Sequence, residues 1–369
     1  MVKGTTWPIS ELELELKRGS TSDLFAPARN LDHVKTQKID VLSKSERGYA
    51  LADSHEPTSF KAGHIELKPG MSAAEAFRTI AHACIRDFRL NETLLIASRA
   101  AEPLHLTRVA MRRLRSALSL FKPIVADQQY ERLNSRLRHV SRQFGEARNL
   151  DVYIAHNTVP NAGLKGALPP VASDPAPQVQ IERNRAYECV ISTLQSKRFR
   201  QCMQDLVAWI EAGPWCAHDE PKKRTMRNQT IEYFAAHVLG RSRRKLKRDG
   251  RHLDRLSPKK RHHIRIAAKK LRYASEFFSG LFADRQHRRR RKAFIIALKN
   301  LQTCLGDLND IQTGHEIAAE LERPKTAPTS RSDAAPSETN QLDEDDKALL
   351  RSACNAHHRL SYAKPFWES

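Results

Sequence analysis

The strongest constraint on the fold is a stretch that occurs twice. LHLTRVAMRRLRSALSLF (104–121) and RHHIRIAAKKLRYASEFF (261–278) align without a gap. His105 falls on His262, Arg108 on Arg265, Arg112 on Lys269, Arg113 on Lys270, Leu114 on Leu271 and Arg115 on Arg272. About one helix later the echo returns, LRHVSRQFGEARNLD (137–151) against LKNLQTCLGDLNDIQ (298–312), at an offset enlarged by one inter-helix insertion. A helix–turn–helix block repeated in this way predicts two similar helical halves, because each unit buries its apolar face against its neighbours. At about 100° per residue, His105, Arg108, Arg112 and Arg115 share roughly 80° of arc, with Leu114, Ala117, Leu118 and Phe121 opposite. In the second copy His262, Arg265, Lys269 and Arg272 form the stripe, and Ile264, Leu271, Ala274 and Phe278 the expected core face.

Neither 104–122 nor 257–275 contains an Asp or Glu. Without acidic neighbours one turn away the cations of each stripe repel one another, and a bound polyanion would relieve that repulsion. The plainer reading of any one stripe is a solvated basic face; recurrence in register favours binding. The whole chain is basic too, with a formal charge of +21 over 369 residues. An excess of that size attracts polyanions, which leaves DNA, RNA, an anionic membrane surface and inorganic phosphate chains as partner classes. His105 and His262 read equally as helix-capping groups or as donors to an anion that would favour their protonation.

Other chemistry is poorly supported. Six scattered cysteines include no C-x-x-C pair, so no zinc ribbon or redox motif is expected. No G-x-x-x-x-G-K-[ST] loop occurs, and His218-Asp219 lies beside prolines without a second such set. No cofactor or metal site is expected. MVKGTTWPIS has no apolar signal region and no run of about 18 apolar residues follows; no membrane insertion and a cytoplasmic location are the expectations.

Along the chain, ISELELELKRG alternates Glu11, Glu13, Glu15 and Lys17 with Leu12, Leu14 and Leu16, a strand pattern. A short helical stretch (TSDLFAPARNL) and a second strand (SKSERGYALAD) follow, giving a small β/α segment over 1–60 and a linker over 61–71. Helical patterns run through 72–98, 103–124 and 127–144 with a turn at Gly145. They continue through 180–212 to a stop at GPW, then 225–249, 258–282, 287–305, 309–322 and a last helix near 344–361. Loops are expected over 159–179 and 323–343, the second with a disordered composition. The main domain, 72–361, is therefore expected to be all-α.

The paired motifs resemble the CHAD domain (conserved histidine α-helical domain): H-x-x-R-V-A-x-R-R-L-R at 105–115, G-x-x-R-x-L-D at 145–151, H-x-x-R-x-A-x-K-K-L-R-Y at 262–273 and L-G-x-L-N-D at 305–310. The resemblance implies two pseudo-symmetric four-helix bundles around a basic central channel that binds inorganic polyphosphate, with no catalysis by the domain itself. It makes the stripe residues His105, Arg108, Arg112, Arg115, His262, Arg265, Lys269 and Arg272 phosphate-chain ligands. Arg138 with its counterpart Lys299, and Arg142, whose counterpart is Thr303, are added from the second helix of each block. Arg148 matches the family's R-D-x-D turn with Asn149 in place of the first Asp, and its implied role is structural, held by Asp151. Association with polyphosphate granules is a further implication.

Residues 1–60 resemble the end of a CYTH domain, the triphosphate tunnel fold often fused to CHAD in bacterial triphosphatases. Glu13-x-Glu15-x-Lys17 spells that family's acidic signature, but about 60 residues cannot close a tunnel of eight strands, so a remnant without triphosphatase activity is expected. Non-specific nucleic-acid binding is the alternative, carried by RSRRKLKR (241–248) and RQHRRRRK (285–292). Aromatic interleaving is poor, and no zinc-finger, RNP or homeodomain signature appears.

Overall fold

The computed structural model describes residues 10–34, 38–52, 58–158, 177–217, 219–282, 284–321 and 344–368. These form twelve α-helices: α1 Phe25–Val34, α2 Lys44–Ala52, α3 Ala73–Ser98, α4 Ala101–Val125, α5 Gln128–Thr158, α6 Pro177–Gln195, α7 Lys197–Ala212, α8 Pro221–Asn228, α9 Ile231–Asp249, α10 Pro258–Phe277, α11 Arg285–Leu321 and α12 Glu344–Tyr362. No helix is long and apolar enough to cross a membrane among these residues. The chain divides into two compact units, Met1–Arg148 with Ala186–Ile231 and Asn149–Arg185 with Glu232–Ser369.

In the first unit α3 packs on α4. Ser72 caps α3 reciprocally with Glu75, and Arg99, left-handed at φ 51°, ends it. The α4 residues expected to face the core, Leu114, Ala117, Leu118 and Phe121, are all buried. Phe121 packs on Phe77 of α3 at 5.4 Å between ring centroids, and Phe77 meets Trp215 at the same distance. The indole of Trp209 donates to Asp127 Oδ2 at 3.0 Å and that of Trp215 to the Trp209 carbonyl at 2.7 Å, so both ring N–H groups are satisfied in the core. In the second unit α10 packs on α11 and α11 on α12. Ile264, Leu271, Ala274 and Phe278 are buried as the period requires, and Phe278 meets Phe234 of α9 edge-on.

Several expected boundaries moved. Both strands expected in the N-terminal segment are absent: 10–16 has no regular secondary structure and 44–52 is helical. A strand requires the hydrogen bonds of a partner, and the one β pairing among the described residues is the isolated bridge Ser72–Thr230. The alternating charges are spent on α2 instead, where Glu13 meets Lys44 at 3.1 Å and Glu11 pairs with Arg47, while Leu12, Leu14 and Leu16 stay exposed. Helix α2 is started by a capping box: Ser43 Oγ accepts from Glu46 N (3.1 Å) and Glu46 Oε2 from Ser43 N (2.8 Å).

The helices expected over 180–212 and 225–249 are each broken. Ser196 accepts from the amide of Phe199 at 3.1 Å and so starts α7. Around Thr230, Ala73 N donates to Gln229 O and Ile231 N to Met71 O, both at 2.9 Å, which takes that backbone out of any helix. Conversely α5 runs unbroken through Gly145, where a turn was expected, and α11 runs through 305–309. Residues 159–176 and 323–343 of the expected loops, the last residue of the expected helix 309–322, and His218 lie outside the described residues; Pro177 opens α6.

Residues 38–52 and 58–71 are strapped onto α3. Asn91 clamps Phe60, accepting from its amide at 3.0 Å and donating to its carbonyl at 2.8 Å. Ile65 and Leu67 are buried. Deeper still, Arg89 donates to Glu92 Oε2 at 2.6 Å and to the Ile39 carbonyl at 3.0 Å, and Lys38 lies 3.9 Å from Glu92. Burial pushes the Glu92 carboxyl up and the Arg89 guanidinium down, each opposed by the other's charge. Removing one member leaves the other as an uncompensated buried charge. Glu92→Ala should therefore destabilise the protein by about 3–5 kcal/mol in urea unfolding; a loss below about 1 kcal/mol would mean that water relieves Arg89.

Candidate anion-binding site

Helices α4 and α5 form an antiparallel pair whose register is fixed by contacts at both ends. Lys122 meets Glu131 at 2.8 Å. A methyl group built on Gly145 would lie 3.9 Å from Arg108 Nη2. Between these points Arg115 feels the charges of Arg138 and Arg142, and at the far end His105 feels that of Arg148. The order is reversed along the two helices, so α5 lays its own cations beside the α4 stripe.

The second pair repeats this construction. A methyl on Gly306 of α11 would lie 3.9 Å from Arg265 Nε and Nη2. His262 Nδ1 is 2.8 Å from Asn309 Oδ1, and Arg272 Nε donates to Gln302 Oε1 at 3.0 Å. The glycine of each G-containing motif thus marks where an arginine of the preceding helix crosses, and it does not break the helix. Sequence reasoning took Gly145 for a turn because glycine is costly within a helix; the crossing arginine sits far away in sequence.

Each expected site residue falls on one of these four helices. His105, Arg108, Arg112 and Arg115 are half-buried along α4, and Arg138 and Arg142 exposed on α5. Arg265, Lys269 and Arg272 are half-buried along α10, with His262 and, on α11, Lys299 exposed. Half-burial is the normal state of a side chain that lays its stem on apolar surface and keeps its charge outward. Arg113, within the motif but off the stripe, is buried beside Cys84 and Asp87.

The electrostatics of the first pair are those of crowded cations. Arg115 is pushed down by burial first, then by Arg138 and Arg142, with Tyr130 opposing. The buried Nε atoms of Arg112 and Arg115 have no hydrogen-bond partner among the described residues. His105 is pushed down by burial, then by Arg148 and Arg112 and to a smaller extent by Arg108, with Glu102 opposing. Arg148 was expected to be held by Asp151. Asp151 is buried and takes Nε of Arg183 at 2.8 Å, and Arg148 belongs to the electrostatic surroundings of His105.

The second pair differs from the expectation that both stripes lack acidic partners. Glu276, one residue past the acid-free stretch, accepts from Arg272 at 2.8 Å across i, i+4. Asp310 stands 3.7 Å from Arg265. Glu276, Gln302, Asn309 and Asp310 were all missed as site residues. Glu276 could have been found by carrying the one-turn rule past the motif's end.

The family model of the CHAD domain matches residues 79–319, more than half the chain. The chain belongs to the CHAD family. Among solved structures it is similar to the crystal structure of the CHAD domain from the plant Ricinus communis, at 24% identity over 83% of this chain and 93% of that one, with a TM-score of 0.58. PptA from Streptomyces chartreusis is 16% identical over 80% of this chain and 96% of that one, with a TM-score of 0.46. No curated protein matches the chain. The Ricinus likeness supports the all-α CHAD fold.

The helix crossing predicts an asymmetric response to side-chain size. The 3.9 Å spacing at Gly145 and Gly306 is ordinary van der Waals contact, so alanine fits. Gly145→Ala and Gly306→Ala should stabilise the protein by about 0.5–1 kcal/mol through helix propensity, whereas Gly145→Leu should displace the Arg108 guanidinium and lower Tm.

The depressed His105 gives a pH dependence. Its imidazolium is disfavoured in the folded chain, so the unfolded chain binds more protons and stability falls as pH drops through the ordinary histidine range. Thermal melts should show His105→Gln losing less Tm than the wild type between about pH 7.5 and about pH 5.5. Equal losses would mean that Glu102 neutralises the ring.

Proposed function

We propose that this CHAD protein binds inorganic polyphosphate, through His105, Arg108, Arg112, Arg115, Arg138 and Arg142 of its first helix pair and His262, Arg265, Lys269, Arg272 and Lys299 of its second. The observation that carries the reading is the corner around Arg115, whose buried Nε has no hydrogen-bond partner and whose guanidinium feels the charges of Arg138 and Arg142, with no ion pair between these three arginines and an acid among the described residues. Such a corner is unfavourable alone and becomes favourable when a multiply charged anion enters it. The attraction comes from charge-assisted hydrogen bonds from guanidinium to phosphate oxygens and from the release of counterions. A linear anion with a charge on every unit can engage several such groups at once, which multiplies modest individual affinities. No step of this reading requires catalysis, a metal or a cofactor.

The nucleic-acid alternative has less behind it. In the clusters that suggested it, Arg243 is tied to the carbonyls of Ser361 and Ala363, and Arg290 and Arg291 to those of Glu368 and Ser279. These arginines staple the second unit together. The CYTH-like reading of residues 1–60 rests on the sequence resemblance alone. The described part of that segment carries α1 and α2 and no strand, so it supplies no tunnel wall for a triphosphatase.

The test is a titration of the full chain with long-chain polyphosphate and, at equal charge concentration, with duplex DNA near physiological salt. Polyphosphate should bind more tightly, and Arg108→Ala, Arg112→Ala, Arg265→Ala and Lys269→Ala together should weaken it by at least ~10-fold, against under ~3-fold for four alanines within 285–292. Equal or tighter DNA binding, or the reverse ranking of the variants, would refute the proposal.

A further inference from the structure

The two helix pairs share one backbone plan but differ at five positions around the stripe. Opposite Arg272 stands Gln302, whose Oε1 takes the Arg272 Nε at 3.0 Å and whose Nε2 donates to the Ala268 carbonyl at 3.1 Å. The α5 residue at that position is Ser141, too short to cross, and its hydroxyl donates to the Leu137 carbonyl of its own helix at 2.6 Å. One turn beyond Arg272 is Glu276, in an ion pair at 2.8 Å; one turn beyond Arg115 is Ser119. Next to the corner, α5 offers Arg142 where α11 offers Thr303.

The difference continues toward the other end. Asp310 stands 3.7 Å from Arg265, and its counterpart is the uncharged Asn149. Asn309 accepts from His262, and its counterpart Arg148 adds a positive charge beside His105. At these five positions the second pair carries acceptors, acids or a neutral group where the first carries cations or neutral groups; one position near His105 runs the other way, where Glu102 has Lys259 as its counterpart.

We infer that the two helix pairs hold condensed phosphate unequally, with Arg115, Arg138 and Arg142 forming the strong subsite and the matching corner at Arg272 neutralised from within; this rests on the polyphosphate reading above. A phosphate group approaching Arg272 meets the Glu276 carboxylate within ion-pair distance, and it must either replace that partner or accept its repulsion. Arg272 also has its Nε committed to Gln302. A phosphate at Arg115 displaces no protein acceptor there and relieves the repulsion of two neighbouring arginines. The gain per contact is therefore larger in the first pair, although both pairs present an arginine at the same place on the helix.

The experiment compares polyphosphate affinities of full-length Arg115→Ala, Arg272→Ala, Glu276→Gln and the exposed pairings Arg138→Ala/Arg142→Ala and Lys299→Ala, each checked for its melting temperature. Arg115→Ala and the Arg138/Arg142 double variant should weaken binding by ~10-fold or more, Arg272→Ala and Lys299→Ala by under ~3-fold. Glu276→Gln should tighten binding by ~2-fold or more, because it releases Arg272 without removing it. If Arg115→Ala unfolds, the Arg138/Arg142 variant and Glu276→Gln decide. Equal losses in the two halves, or an unchanged Glu276→Gln affinity, overturn the asymmetry while leaving polyphosphate binding intact. Failure of the wild type to bind polyphosphate overturns both.

Discussion

The architecture of the site depends on how α4 and α10 divide their surfaces. One side of each is fused to an aromatic and aliphatic core, and the other holds a row of cations that are only partly in water. The core side makes the arrangement possible. Phe121 on Phe77, and Phe278 on Phe234, fix the rotation of each helix about its axis, and the stripe is then held on the opposite side. Arginine stems lie along the partner helix, and a glycine on that helix gives each crossing guanidinium room. Like charges are thereby kept at close quarters by packing, and the associated electrostatic cost is offset by the burial of the other face.

The same plan serves both halves, yet the balance of charge does not follow from the plan. A glutamine is long enough to span two helices and hold both a guanidinium and a backbone carbonyl; a serine at that position turns back on its own helix. A single acid at i+4 makes an arginine half of an ion pair, as Glu276 does Arg272, where the equivalent Arg115 has Ser119 one turn on. Duplication of the helices is therefore weaker evidence for duplication of function than the motif alone suggests, and the residues one turn outside the motif carry the distinction.

The N-terminal segment shows the opposite lesson. Its alternation of leucine with charge is a sound signature of a strand, and it failed because a strand needs a neighbour. With no partner strand among the described residues, the charges of Glu11 and Glu13 went to Arg47 and Lys44, and a Ser43–Glu46 capping box made a helix of the next stretch. The box was present in the sequence as S-x-x-E. The segment before α3, by contrast, gave no sign of being held by Asn91 or by the buried Arg89–Glu92 pair, since those contacts join residues whose separation no local pattern records.

Amino-acid order by itself determined the helical class, the faces of α4 and α10, the repeat and the set of cations that line it. All of these are consequences of periodicity, which acts over one or two turns and is written locally. The tertiary structure alone decided which cations are opposed by acids of another helix, as Arg265 is by Asp310. It also decided that Gly145 and Gly306 are crossing points within long helices, and that His105 sits among arginines while His262 meets an asparagine. Those outcomes depend on the register between two antiparallel helices. Register is set by the packing of the whole core, and a change of one residue there would bring different side chains together without altering a single local pattern.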